Sequence, residues 1–171
     1  MQQQTRRLVL MRHGQAEQDG QTDFERVLTE RGRTDTASTG AWLARQGVTP
    51  DHALVSAATR AHQTWDSVAS GGGWVLEPEL DRGLYAAGPE TALDILHTAP
   101  AEATTLVVVG HNPTIATVAQ MLDDGDGDVE ASTQMAMRGY PAGAATIFSY
   151  VGAWAELAEG TCSVVAFHAP D

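Results

Sequence analysis

The 171-residue sequence has little cysteine and few aromatic residues. Its single cysteine, Cys162, excludes a disulfide within the chain and fits a reducing compartment. Aromatic residues make up only 6% of the chain, so small aliphatic side chains must fill most of the core. We expect the largest core fillers to be Trp42, Trp65 and Trp154.

Basic residues are also scarce. Ten basic residues, all of them arginines, stand against 22 acidic residues, which gives a formal net charge of -12. A surface of this charge repels nucleic acid and anionic membranes, so neither is expected as a partner. A binding site for a phosphorylated molecule must then depend on a local concentration of arginine side chains.

Long hydrophobic runs are absent. No stretch approaches the roughly 20 apolar residues that a membrane-spanning helix requires. The first apolar run, residues 8–11, is shorter than the hydrophobic region of a signal peptide. The sequence therefore predicts a soluble, cytoplasmic protein.

Short apolar runs alternate with segments of helical character along the chain. The runs typical of strands are residues 8–11, 52–55, 74–76, 106–109, 144–150 and 163–167. Helices are predicted over residues 29–46, 58–70, 89–97 and 113–122, with loops over 15–26 and 123–130. This alternation favours a mainly parallel sheet with helices on both faces.

The last two strand runs are joined by a short link, which favours an antiparallel hairpin. We therefore predict a single domain over residues 1–171. Its expected fold is a three-layer, doubly wound α/β fold, with a mainly parallel sheet of about six strands and an antiparallel edge strand.

Three chemistry-bearing segments follow predicted strands. Arg12 and His13 end the first strand, the segment 56–60 with Arg60 follows the second, and His111 follows the valine-rich run. In doubly wound sheets ligands bind beyond the carboxyl ends of the strands, so these segments should meet at one rim. Phosphoryl transfer needs a nucleophile and charge neutralisation, which a histidine and two arginines supply without a metal ion.

Four segments together resemble the histidine phosphatase superfamily, which includes the phosphoglycerate mutases. They read LVLMRHG at 8–14, LTERG at 28–32, SAATRAHQT at 56–64 and VVVGHNP at 107–113. The small size and closing strands are similar to the compact SixA-type phosphohistidine phosphatases. This resemblance implies a phosphoglycerate mutase-like fold and a metal-independent phosphatase that needs no cofactor.

The resemblance also implies residue roles. His13 would be the phosphorylated nucleophile, while Arg12, Arg60 and His111 would hold the phosphate. Gly14, Gln15 and Asn112 adjoin these positions and are candidate substrate-binding residues. Gln15 is equally well explained as a solvent-facing loop residue.

The general acid is the weakest part of the resemblance. Many members carry an Asp directly after the second histidine, where this chain has Asn112, or an acidic residue after the third strand. Glu79 and Asp81 lie in that second segment, as candidate acids or as exposed carboxylates. Phosphohistidine needs such an acid less than an alkyl phosphate does, because its P–N bond is labile.

The sequence is compatible with three functions. The leading one is a phosphatase for phosphohistidine on a protein, using a phosphohistidine enzyme intermediate. The alternatives are a phosphomonoesterase for a small phosphorylated metabolite and a phosphate- or phosphoprotein-binding module with low turnover. The sequence does not specify the physiological substrate, the pathway or the oligomeric state.

The alternating carboxylates at 124–128 resemble a calcium-binding loop. However, Val129 and Met135 stand where such a loop needs its glycine and its closing glutamate. We expect a solvated acidic loop there and no metal site. The remaining histidines, to which we assign no catalytic role, are His52, His62, His97 and His168.

Overall fold

The computed structural model describes residues 4–19 and 22–171, so residues 20 and 21 of the predicted loop 15–26 lie outside the described residues. Within them the chain forms six strands and five α-helices. In order these are β1 (Thr5–Arg12), α1 (Glu30–Arg45), β2 (His52–Ser56), α2 (Thr59–Gly72), β3 (Glu79–Asp81), α3 (Pro89–His97), β4 (Thr105–Gly110), α4 (Thr114–Leu122), α5 (Val129–Arg138), β5 (Ala145–Val151) and β6 (Cys162–His168).

The strands form one sheet in the order β3-β2-β4-β1-β5-β6. The first four strands along the chain are parallel, because β2 pairs in parallel with β3 and β4, and β4 pairs in parallel with β1. Strand β5 pairs antiparallel with β1 and forms an antiparallel hairpin with β6. The predicted fold class is confirmed, including the hairpin at the antiparallel edge.

The sheet is buried on both faces, as the residue alternation in β1 shows. Leu8 and Leu10 belong to a core cluster shared with α3, α4 and α5, whereas Val9 and Met11 belong to a second cluster shared with α1 and α2. All four side chains are fully buried. Helices on both faces of a central sheet give the three-layer arrangement that the sequence predicts.

Two of the three predicted tryptophan fillers are buried. Trp65 and Trp154 are among the largest fully enclosed side chains. Trp42 is only half-buried, and its ring stacks on that of His168 at a centroid distance of 5.0 Å. The stacking covers part of the indole surface that the core does not enclose.

Local signals explain where the helix that follows the first motif begins and ends. The side chain of Thr29 accepts a hydrogen bond from the backbone N–H of Gly32, which caps the first turn of α1. Past its end, Gly47 adopts a φ of 81°, a left-handed conformation that glycine takes at no steric cost. This cap fixes the start of α1 beside the carboxyl end of β1.

The predicted strand at residues 74–76 is wrong, because β3 lies further along, at Glu79–Asp81. Trp74 and Leu76 do pack on the second core cluster, and Val75 between them is fully exposed. Burial therefore alternates along this segment as it does in a strand. However, the carbonyl of Leu76 accepts its hydrogen bond from the indole of Trp65 and not from a neighbouring strand. The segment is held by side chains and lies outside the sheet.

The acidic segment 123–130 covers part of the edge of β6. The N–H groups of Asp124 and Asp128 donate to the carbonyls of Cys162 and Val164. The side chain of Asp128 then accepts from the N–H of Ala131 and caps α5, so this helix begins inside the predicted loop. These contacts give the carboxylates a structural role at a sheet edge.

None of the helices among the described residues is long and apolar enough to cross a membrane.

Candidate active site

The strand register brings the predicted segments to one rim. Met11 lies opposite Val109, and Val109 lies opposite Val55, so the three central parallel strands end in the same row. Beyond that row, the N–H of His13 donates to the carbonyl of Gly110 at 3.0 Å. The side chains that follow β1, β2 and β4 therefore meet at their carboxyl ends, as predicted.

The tautomer of His13 follows from its two hydrogen-bond partners. Its Nδ1 lies 2.8 Å from the carbonyl oxygen of Gly14, which can only accept a hydrogen bond. The Nε–H of Arg60 donates to its Nε2 at 3.3 Å. The proton therefore lies on Nδ1, and Nε2 presents a lone pair to the site.

His13 is neutral at physiological pH. Burial, together with the nearby charges of Arg60 and Arg12, lowers its pKa to about 4, although the bond to Gly14 acts in the opposite direction. A neutral imidazole with an unprotonated Nε2 is the form in which histidine acts as a nucleophile.

Gly14 brings the backbone of this segment close to α1. A Cβ at this position would lie 2.7 Å from Cγ2 of Thr36 and 3.0 Å from the carbonyl oxygen of Gly32. The N–H of Gly14 also donates to Oγ1 of Thr64 on α2 at 3.0 Å. Gly14, whose carbonyl orients His13, is itself fixed between α1 and α2. This close approach explains why the position is occupied by glycine, which has no Cβ.

In the guanidinium of Arg12, the terminal nitrogen Nη1 has a hydrogen-bond acceptor, whereas Nε has none among the described residues. Its Nη1 donates to the carbonyl of Tyr140 at 3.2 Å. Tyr140 has a φ of 62°, which is uncommon for a residue other than glycine, and its side chain hydroxyl donates to the carbonyl of Leu10. The Nε of Arg12 is buried and has no acceptor among the described residues. Burial lowers the pKa of Arg12, but arginine remains charged in proteins.

Arg60 is buried, and one N–H of each of its two terminal nitrogens binds Asp23. Its Nη1 donates to the carbonyl of Asp23 at 2.7 Å, and its Nη2 lies 3.1 Å from Oδ2 of the same residue. The carboxylate also accepts from the hydroxyl of Tyr85 at 2.6 Å and from Nε of Arg26 at 3.0 Å. These contacts direct the Nε–H of Arg60 towards His13.

The pKa of Asp23 is lowered to about 2, chiefly by the hydrogen bond from Tyr85 and also by Arg60 and Arg26. Its carboxylate is therefore ionised at neutral pH. Asp23 and Tyr85 are site residues that the sequence did not reveal. An acidic residue in a polar loop and a tyrosine after β3 carry no motif that would mark them.

His111 lies against both His13 and β2. The centroid of its ring is 5.1 Å from that of His13, and its Nε2 is 2.7 Å from Oγ of Ser56. Its Nδ1 is buried and has no partner among the described residues. Burial, together with His13 and Arg60, lowers the pKa of His111 to about 3, so this imidazole is also neutral at pH 7.

A cleft of about 400 Å³ opens over these side chains. The residues that line it are Arg12, His13, Gly14, Gln15, Ala16, Gln18, Arg26, Arg60, His111, Asn112 and Ala142. The structure thus brings together all seven predicted catalytic and substrate-binding positions. Three guanidinium groups and the one carboxylate of Asp23 leave this region cationic in a chain of net charge -12.

Gln15 and Asn112 already have partners within the chain. Oε1 of Gln15 accepts from the hydroxyl of Thr29 at 2.8 Å. Nδ2 of Asn112 donates to the carbonyl of Tyr140 at 3.0 Å, while its Oδ1 accepts from the N–H of Ala116 at 3.2 Å. Asn112 therefore joins the start of α4 to the carbonyl that also holds Arg12.

Glu79 and Asp81 are not brought into the cleft. Oε2 of Glu79 lies 2.8 Å from Nε2 of His52, at the start of β2. The side chain of Asp81 caps the short turn Arg82–Leu84 by accepting from the N–H of Gly83 at 2.7 Å. Neither carboxyl group is placed to protonate a leaving group in the cleft.

The remaining histidines also have local partners away from the cleft. His62 is 3.9 Å from Asp66 on α2, and His97 bonds to the carbonyl of Leu157. In the two described ranges, no group of three or more His, Cys, Asp or Glu side chains could hold a metal ion.

Comparisons with known proteins agree with this geometry. The sequence model of the histidine phosphatase superfamily, branch 1, matches residues 8–85. An uncharacterized protein of Mycobacterium tuberculosis strain H37Rv is 32% identical over 161 residues, which cover 94% of this chain and 99% of the relative.

Two solved structures are similar over nearly their whole length. A candidate phosphohistidine phosphatase SixA from Nakamurella multipartitia has a TM-score of 0.85 and 30% identity, with 99% of each chain covered. A candidate SixA from Agrobacterium tumefaciens has a TM-score of 0.79 and 24% identity, covering 96% of this chain and 98% of that one.

Proposed function

The chain belongs to the histidine phosphatase superfamily, and on this premise we propose that it hydrolyses phosphohistidine on a protein through a phosphorylated His13. The observation that carries the proposal is the pair of hydrogen bonds on His13. The Gly14 carbonyl holds the proton on Nδ1, and Arg60 donates to Nε2, which leaves the Nε2 lone pair as the nucleophile.

The reaction proceeds in two displacements at phosphorus. In the first, a bond forms between Nε2 of His13 and phosphorus, while the bond from phosphorus to the substrate nitrogen breaks and its electron pair leaves with that nitrogen. The proton on the other ring nitrogen of the substrate makes the leaving group a neutral imidazole. In the second, the oxygen of a water molecule binds phosphorus as the bond to Nε2 breaks, the electron pair of that bond returns to Nε2, and both water protons stay with the phosphate, which leaves as dihydrogen phosphate. The products are inorganic phosphate and His13 in its starting tautomer.

Cationic and neutral donors stabilise the phosphoryl oxygens. Arg12 presents a buried Nε–H without an acceptor among the described residues, and Arg60 directs its Nε–H at the reacting nitrogen. His111 adds a buried ring nitrogen on a ring whose centroid is 5.1 Å from that of His13. This donor set offers the charge that metal ions supply in many phosphoryl transfer enzymes, so we propose a mechanism without a metal.

The substrate class is inferred from the proton that the leaving group requires. An alkoxide leaving group needs a general acid, but Asp23 is ionised at neutral pH, and Glu79 and Asp81 lie outside the cleft. An imidazole is a better leaving group and needs less protonation. The likeness to the candidate phosphohistidine phosphatase of Nakamurella multipartitia, at 30% identity, supports the same class.

A comparison of substrates tests this proposal. The protein is incubated with a phosphohistidine peptide, a panel of sugar and nucleotide phosphates, and an aryl phosphate, each alongside His13→Ala and with or without a chelator. We expect fastest release from the phosphohistidine peptide, loss of release in His13→Ala and no effect of the chelator. A higher kcat/KM on a metabolite phosphate would support a phosphomonoesterase, and tight binding without release would support a binding module. Either result would overturn the proposed substrate.

A further inference from the structure

Ser56 is the last residue of β2, and its side chain is fully buried. Its Oγ lies 2.7 Å from Nε2 of His111 and accepts a weaker hydrogen bond from the N–H of Ala58 at 3.3 Å. The proton between Ser56 and His111 can belong to either group. Which group carries it decides what the opposite ring nitrogen of His111 offers to the cleft.

Counting donors and acceptors distinguishes the two arrangements. If Nε2 of His111 carried the proton, Oγ of Ser56 would accept twice, and its own O–H would be a buried donor with no acceptor among the described residues. If Ser56 donates to Nε2, every polar group of the serine is satisfied. The first arrangement therefore leaves two buried groups unpaired, the hydroxyl of Ser56 and Nδ1 of His111, whereas the second leaves only the Nδ1–H, so the count favours the second.

We propose that Ser56 is a positioning residue that holds the neutral ring of His111 with its proton on Nδ1. The buried Nδ1 without a partner then becomes an N–H donor. The oxygens of a phosphoryl dianion only accept hydrogen bonds, so a lone pair at Nδ1 would repel them and an N–H attracts them. The serine thereby converts His111 into an uncharged donor at the site.

The two histidines of the cleft then share one tautomer but expose opposite sides. The carbonyl of Gly14 holds the proton on Nδ1 of His13 and leaves Nε2 as the nucleophile. The hydroxyl of Ser56 occupies Nε2 of His111 and leaves Nδ1–H as the donor. The sequence places both partners next to their strand ends, at residues 14 and 56.

The tautomer itself is measured on the unmodified protein, without substrate. The ¹⁵N chemical shifts of the histidine rings, at pH 7 and assigned with a His111→Gln variant, distinguish protonated from unprotonated nitrogens. We expect Nδ1 of His111 to be protonated and Nε2 to be unprotonated. A protonated Nε2 would overturn the proposal, whether or not the protein is a phosphatase.

The consequence for turnover rests on the proposed function and is tested with variants. We expect Ser56→Ala to lower kcat roughly 10- to 100-fold, as the loss of a transition-state donor does, with a smaller change in KM. Ser56→Thr, which keeps the hydroxyl, should retain more activity. The matched control is Ser70→Ala, an exposed serine on α2, which should change kcat less than about twofold.

A double-mutant cycle separates positioning from packing. Because Ser56 acts through His111, Ser56→Ala should add no loss in a His111→Ala background. An equal loss in both backgrounds would show that the serine acts by another route and would overturn the proposal. Circular dichroism and thermal melting of each variant confirm that a folded protein is compared. If wild type lacks turnover yet shows the expected ring shifts, only the proposed function fails.

Discussion

The Nε–H of Arg60 points at Nε2 of His13 across 3.3 Å, while Nδ1 of the same ring lies 2.8 Å from the carbonyl of Gly14. An arginine cannot accept a hydrogen bond, and a carbonyl cannot donate one. The ring therefore has one proton arrangement that satisfies both neighbours. The cleft is built around a histidine whose unprotonated Nε2 accepts a hydrogen bond from a cation, which suits attack on an anionic phosphoryl group that takes over that bond.

The first prediction concerns stability and pH. The folded-state pKa values of His13 and His111, about 4 and about 3, lie below the value near 6.5 of an unfolded histidine. The unfolded chain then binds more protons between these values, so stability is complete above about pH 6.5 and falls as the pH decreases towards 4. Urea melts at pH 7, 6 and 5 should show this fall.

A variant isolates the contribution of the site histidine. In His13→Gln the decrease in the free energy of unfolding from pH 7 to pH 5 should be smaller than in wild type. The control is His62→Gln, because that side chain is 45% exposed on α2. An unchanged pH dependence in His13→Gln would contradict a buried, neutral His13.

The second prediction concerns Asp23. Asp23→Asn removes the carboxylate that Arg60, Arg26 and Tyr85 share, so Arg60 should hold its orientation less firmly. Because Asp23 is more than half exposed, we expect a modest effect, between about twofold and tenfold in kcat/KM. Steady-state kinetics measure it. Glu25→Gln, in the same short turn, is the control, and an equal loss there would exclude a specific role for Asp23.

The third prediction concerns the close approach at Gly14. Gly14→Ala forces a Cβ to within 2.7 Å of Thr36 and 3.0 Å of the Gly32 carbonyl. Overpacking of this kind costs about 1–3 kcal/mol, which lowers the Tm by roughly 3–10 °C in a domain of this size. Turnover should also fall, because the carbonyl that orients His13 moves. Gly88→Ala is the control, since no atom lies within 4 Å of its added Cβ. Equal Tm values for the two variants would refute the packing argument.

The fourth prediction concerns the two carboxylates outside the cleft. Glu79→Gln should leave kcat on an aryl phosphate within about twofold of wild type, because Glu79 pairs with His52. Asp81→Asn should also preserve kcat, with little change in the free energy of unfolding, because the amide oxygen of asparagine can still accept from the N–H of Gly83. A hundredfold decrease in kcat in either variant would identify a general acid that moves into the cleft.

Much of the fold follows from local sequence signals. The central strands are buried on both faces, so their sequences are continuous apolar runs that predict strands, as β1 and β4 show. The position of β3 could not be predicted, because residues 74–76 form the apolar run typical of a strand, whereas Glu79–Asp81 contains a single apolar residue. The carbonyl of Leu76 bonds to the indole of Trp65, a tertiary contact that no local pattern reports.

Some residues of the candidate site could likewise be predicted from the sequence, and others could not. Arg12, His13, Arg60 and His111 could be predicted because each adjoins a strand end in a recognisable motif. Asp23 could not, since an exposed carboxylate in a polar loop resembles any other until its partners on α2 and after β3 are known. The hydroxyl of Ser56 lies inside a quoted motif, but its role depends on the ring that β4 brings beside it.

Trapping the phosphoryl group on the protein tests the central claim most directly. Wild type, His13→Ala and the control His62→Ala are mixed with phosphohistidine peptide, quenched within milliseconds in base, and digested for mass spectrometry. We predict an acid-labile phosphoryl group on the ring of His13 in wild type and in the control, with no adduct in His13→Ala and turnover at least about a thousandfold lower. A phosphoryl group on any other residue, or undiminished turnover in His13→Ala, would contradict the account.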